Sequence, residues 1–141
     1  MTVPTFQIAI DAADPHRLNR FWAAVVDYDI EDHHDLVEQV IAAGGATRDD
    51  AVEIDGRLAW RTGAACRDRQ GRGPRLLFQQ VPEAKSVKNR VHLDLHVGEE
   101  RRAGEVQRLV ELGATMLYDG QQGPQTWVTM ADPEGNEFCI S

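Results

Sequence analysis

The strongest constraint on the fold is a repeated order of words along the chain. Gly45-Ala46-Thr47 and later Asp68-Arg69-Gln70-Gly71 are echoed by Gly113-Ala114-Thr115 and Asp132-Pro133-Glu134-Gly135, with a tryptophan inside each interval, Trp60 and Trp127. Repeated words in a fixed order are the mark of a duplicated supersecondary unit, each half burying its own apolar face. The patterning around them agrees. Residues 6–11 alternate apolar and other side chains, which reads as a strand. Asp14-Pro15 opens a helix, because Asp can cap and Pro at the first helical position has no N–H to leave unpaired. Leu18, Phe21, Trp22 and Val25 form its apolar stripe, which places Trp22 in the core. A second helix is expected over residues 35–43, with Val37, Val40 and Ile41 inward and Gly44-Gly45 stopping it. Strands follow at 52–54, 57–62 and 75–81, the first two joined by a turn at Asp55-Gly56.

The second half repeats strand, helix and three strands. Residues 91–97 alternate most clearly, 100–112 carry Val106, Leu109 and Val110 at helical spacing before Gly113, and strands are expected at 115–118, 126–130 and 137–140. The expectation is an α+β fold of two βαβββ modules, the first with an extra helix, forming one curved mixed sheet with helices on its outer face. It reads as a single domain over 1–141: a first module of about residues 1–82, a linker at 83–90 and a second module of about 91–141.

Hydrophobic residues make up 42% of the 141, enough for a core without disulfides. No apolar run approaches the ~20 residues needed to span a bilayer, and Met1-Thr2-Val3-Pro4 lacks a signal-peptide start. Cys66 and Cys139 form no CxxC pair and read as reduced thiols, so a cytoplasmic location is expected. The formal net charge of −8 argues against a nucleic-acid partner, which needs a basic face. The chain has no Walker loop, Rossmann glycine fingerprint or GxSxG elbow, so no nucleotide cofactor is expected.

Strand alternation also sorts the polar groups. Val91, Leu93, Leu95 and Val97 share one face, and His92, Asp94 and His96 the other. Gln7 and Asp11 oppose Phe6, Ile8 and Ile10, while Glu137 and Cys139 oppose Phe138 and Ile140. An antiparallel sheet wetted on one face shows the same alternation with no site at all. Here, however, the polar face carries imidazole, carboxylate and amide groups near the starts of related strands, and a curled sheet would bring them together in a pocket.

These words resemble the vicinal-oxygen-chelate superfamily, in its glyoxalase-like (glyoxalase/bleomycin resistance/dioxygenase) branch. The resemblance spans nearly the whole chain. It rests on Asp14-Pro15 with Phe21-Trp22, Arg75-Leu76-Leu77-Phe78-Gln79, Lys88-Asn89-Arg90-Val91-His92-Leu93-Asp94 and Asp132-Pro133-Glu134-Gly135-Asn136-Glu137-Phe138. It implies a small-molecule pocket and, in metal-dependent members, one ligand from each of four strands. Carried onto this chain, Gln7, His92 and Glu137 fall at metal positions, and Phe78 stands where a Glu or His is usual. The implied ion is divalent (zinc, nickel, iron or manganese), and the implied assembly is a homodimer.

Two functions follow. In the first, a metal on Gln7, His92 and Glu137 polarises a substrate and Glu137 moves a proton, as in a lyase or isomerase. In the second, the protein binds or sequesters a small molecule without metal or catalysis, using Trp60, Phe78 and Trp127 for apolar contact and His92, Asp94 and Glu137 for polarity. Phenylalanine cannot ligate a metal, so Phe78 favours the second; the His92/Glu137 pair favours the first. Trp60 and Trp127 read equally as pocket walls or core aromatics. His33-His34, with Asp32 and Asp35, reads as a polar turn capping the inserted helix rather than a metal site.

Overall fold

The computed structural model describes residues 2–141, which divide into two compact units, one ending at Pro82 and one running from Glu83 to Ser141. In the first, strand β1 (Ile8–Ala12) leads into helix α1 (Pro15–Val26). Asp14 caps the helix by accepting the Arg17 N–H at 3.1 Å, with Pro15 in the first turn. Leu18, Phe21 and Trp22 are buried as the stripe requires, and Phe21 meets Trp22 edge-on at 5.3 Å. Strand β2 (Asp29–Ile30), helix α2 (His34–Ala42), a 3₁₀ turn (Arg48–Asp50) and strands β3 (Ala51–Ile54), β4 (Arg57–Trp60), β5 (Gly63–Arg67) and β6 (Leu76–Gln80) follow. The sheet order is β1-β6-β5-β2, with β1 parallel to β6 and the other pairs antiparallel; β3 and β4 form a separate hairpin.

The second unit contains β7 (Asp94–Leu95), α3 (Glu99–Leu112), β8 (Thr115–Gln122), β9 (Gln125–Ala131) and β10 (Glu137–Ile140). Its order is β7-β10-β9-β8, again with first and last strands parallel and the rest antiparallel. The two units therefore share one βαβββ topology. Among the described residues the ladders distribute as two four-stranded mixed sheets, one in each unit, plus the hairpin.

This strand order corrects the repeat alignment. The module strands of the first unit are β2, β5 and β6, so α2, the 3₁₀ turn and the β3–β4 hairpin are all insertion. Gly45-Ala46-Thr47 follows the inserted helix and is not the counterpart of Gly113-Ala114-Thr115. Trp60 lies on the inserted hairpin and Trp127 on β9, so they are not counterparts either. The sequence hid β2 because it is two residues long, and β5 because Gly63, Ala64, Ala65 and Cys66 are too small and uniform to alternate. The aspartate turns do correspond, since each joins the third strand of its module to the fourth. Asp68 accepts the N–H groups of Gln70, Arg72 and Gly73. Asp132, 3% exposed, accepts those of Glu134 and Asn136 together with the Asn136 side-chain amide.

Two smaller expectations shift. Only Asp94–Leu95 of residues 91–97 is regular strand, although bonds from Cys139 N to Leu93 O and from Ser141 N to Leu95 O extend the pairing. Val110 faces solvent, leaving Leu109 as the buried anchor of α3. No helix among the described residues is long and apolar enough to cross a membrane.

Candidate functional site

In the second unit, Phe138 and Ile140 of β10 pair with Met130 and Val128 of β9 on the buried face. The pleat then turns Glu137 and Cys139 to the opposite face, with Thr129 directly beside Cys139. Asp94 is the partner of Cys139 on the other side, and His92, two residues earlier, shares its face. That face borders a cavity of about 530 Å³, whose lining includes His92, Asp94, His96, Trp127, Glu137 and Cys139. The volume suits a small organic molecule.

The polar groups are coupled in pairs. His92 Nδ1 lies 2.7 Å from Asp94 Oδ1, and His96 Nδ1 lies 2.9 Å from Ser141 Oγ. Trp127 Nε1–H donates to Thr129 Oγ1 at 3.2 Å, and that oxygen lies 3.6 Å from Cys139 Sγ. The Trp127 indole occupies space over Gly120, its partner on β8; a Cβ there would come within 2.1 Å of the ring. Gly120 is thus a site residue that the sequence reading missed. Its signal, a glycine inside a strand marking a close approach, was present but masked by placing the end of β8 at residue 118.

Glu137 is committed elsewhere. Its Oε2 accepts the Asn89 N–H at 2.9 Å and its Oε1 the Lys85 ammonium at 3.2 Å. The Asn89 amide, then its own backbone amide and Lys85, hold its carboxyl at about 2 against the cost of burial, well below the ordinary carboxylate range. Such a group stays ionised and is a poor proton acceptor near neutral pH. It ties residues 85–89 to the end of β10 while still bordering the cavity.

The first-unit candidates fare differently. Gln7 is exposed, and its Oε1 accepts from Arg75 Nη1 at 3.0 Å; Arg75 also forks onto both oxygens of Glu31. Trp60 borders an open concavity of about 480 Å³ with Leu77 and Gln79. Phe78, expected at a ligand position of the pocket, is 0% exposed and pairs with Ile10 and Ala64 on the buried face of its sheet. The error was one of parity. Phe78 shares its face with buried Leu76, just as Phe138 and Ile140 share theirs, so it matches the core side of β10 and not Glu137.

The His33-His34 segment is a latch. Asp32 accepts the His34 N–H at 3.0 Å, and His34 Nδ1 accepts the Leu58 N–H at 2.9 Å, binding α2 to the hairpin. A neutral His34 must therefore carry its proton on Nε2, which lies 3.5 Å from Glu38. Cys66 is fully buried, burial pushes its thiol up to about 12, and both cysteines are free.

Two mixed βαβββ sheets, each with its first strand parallel to its last, define the vicinal-oxygen-chelate class. The family model described as "Glyoxalase-like domain" matches residues 7–141, and the chain belongs to that family. Solved structures share the fold at low identity. A variant of the fosfomycin resistance protein FosX from Listeria monocytogenes, complexed with Mn(II) and 1S,2S-dihydroxypropylphosphonic acid, is 10% identical at a TM-score of 0.61, with 99% of this chain and 90% of that one covered. A glyoxalase/bleomycin resistance protein/dioxygenase family enzyme from Burkholderia phytofirmans PsJN is 15% identical at 0.62, covering 95% and 94%. A possible glyoxalase from Bacillus cereus is 15% identical at 0.59, covering 99% and 98%. No curated protein sequence matches the chain.

Proposed function

We propose that the open sheet face of the second unit binds a small, oxygen-bearing organic molecule, with Trp127 as its flat apolar wall and the His92–Asp94 pair as its working polar group. The carrying observation is the 2.7 Å bond between His92 and Asp94 at the edge of a cavity of about 530 Å³. A carboxylate on Nδ1 fixes the imidazole tautomer and leaves Nε2 to give or take a proton. His92 is therefore better arranged for proton transfer than Glu137, whose oxygens are already bonded. The family resemblance supports a lyase- or isomerase-type substrate, and the FosX neighbour, crystallised with a phosphonic acid, supports a small oxygen-bearing ligand; plain binding needs only the cavity and Trp127.

The metal set carried over from the family does not fit these side chains as they stand. The Gln7 amide oxygen is held by Arg75, and both Glu137 oxygens accept from Lys85 and Asn89.

A panel of small hydroxy acids, diols and phosphonates titrated into ¹⁵N-labelled protein tests the reading. Binding should shift the amides of Leu93, Asp94, Cys139 and the Trp127 indole. Hits that shift only Trp60 and Gln79 would move the site to the first unit and contradict it.

A further inference from the structure

We propose that His92, Asp94 and Cys139 form a three-residue site for a zinc-class transition-metal ion, sharing only His92 with the set that the family resemblance implies. The proposal rests on the reading that this sheet face is the working site. One donor atom from each of the three residues lies within 4.8 Å of the other two. The chain path explains the convergence: Asp94 opens β7 and is the register partner of Cys139 on β10, and His92, two residues before it in the paired stretch ahead of β7, reaches Asp94 at 2.7 Å. An imidazole nitrogen, a carboxylate oxygen and a thiolate sulfur make a mixed borderline set. Thiolate selects zinc, cobalt or nickel over manganese or magnesium, which prefer oxygen. Three protein ligands leave a coordination position open, and all three residues border the cavity.

Neighbouring side chains hold Cys139 in place. Indole nitrogen can only donate, so Thr129 Oγ1 accepts from Trp127 at 3.2 Å, and the same oxygen lies 3.6 Å from Cys139 Sγ. Thr129 is 3% exposed and fixed in the sheet between Trp127 and Cys139. Without metal, His92 Nδ1 and Asp94 Oδ1 lie 2.7 Å apart, so the pair is already held together where an ion would enter. The other candidate cluster, His34, Asp35 and Glu38, is weaker because both His34 nitrogens already have partners.

The test uses the metal alone, so a failure here leaves the small-molecule reading standing, and the two failures are told apart. Co(II) titrated anaerobically into the full chain should produce a sulfur-to-cobalt charge-transfer band in the near ultraviolet. Cys139→Ser should abolish the band, and Cys139→Ser and Asp94→Asn should each weaken binding by about tenfold or more. Glu137→Gln should leave the band and the affinity in place. In the unmodified protein, Zn(II) should protect Cys139 from alkylation, and Mn(II) at the same concentration should not; this arm needs no variant to fold. A Co(II) complex without the band, an affinity that survives Cys139→Ser, or Cys139 alkylated equally with and without zinc would overturn the proposal. Loss of binding in Glu137→Gln alone would return the metal to the family's position and overturn it as well.

Discussion

The two units carry the same strand order but different chemistry on their open faces. In the first, Ala9, Leu77 and Ala65 form one row across β1, β6 and β5. In the second, Asp94, Cys139 and Thr129 form a row across the equivalent strands β7, β10 and β9. On the buried faces the units agree: Ile10, Phe78 and Ala64 in one, Phe138 with Met130 and Ile140 with Val128 in the other. Duplication has kept what folds the sheet and has not kept what faces outward from it. Core positions are set by packing, whereas open-face positions are free to differ: Asp11 and Gln79 form the row next to the apolar one in the first unit, while the second brings imidazole, carboxylate and thiol together.

The largest effect should come from the face that both units share. Phe78→Ala removes a fully buried ring and should cost about 3–5 kcal/mol in urea unfolding, while leaving any cavity ligand's contacts intact. A loss well below 1 kcal/mol would return Phe78 to a pocket wall. The paired aspartate turns come next. Asp132→Ala strands several N–H donors at a buried turn and should cost about 2–4 kcal/mol. Asp68→Ala, at the more exposed turn, should cost clearly less. Equal losses would mean that the two turns, unlike the faces, have stayed interchangeable.

Gly120→Ala sharpens the contrast further. The new methyl must displace the Trp127 ring, costing about 1–3 kcal/mol and weakening any ligand that stacks on it. A variant with unchanged stability and an unshifted indole resonance would show that the ring was never held there. The smallest effect concerns acid. The Glu137 carboxyl is depressed on folding, so its contribution is present above its ordinary range and is lost as pH falls toward about 2. Glu137→Gln should flatten the stability profile across that interval, lying below the parent near neutral pH and converging with it in acid, as pH-dependent melts can show.

Much of this was legible in the residues. Asp14-Pro15, the Leu18/Phe21/Trp22 stripe, the alternation that puts His92 and Asp94 together, and the Asp132 turn all act locally, and local rules read them correctly. The insertion was misread because Trp60 and Gly45-Ala46-Thr47 mimic words of the second half, and only strand pairing shows that they lie outside the module sheet. Phe78 was misplaced by one residue of register, which reverses a side chain's face. The bonds that commit Glu137 to Lys85 and Asn89 are tertiary, and no spacing in the chain announces them.

The central claim is that the chemistry sits on the second unit's sheet face. Imidazole ¹H–¹⁵N spectra recorded during zinc titration test it most directly, because the five histidines divide between the units. The account predicts that the His92 ring signals shift or exchange first, with His16, His33 and His34 unmoved until excess metal. First movement at His34, with His92 unchanged at saturation, would contradict it.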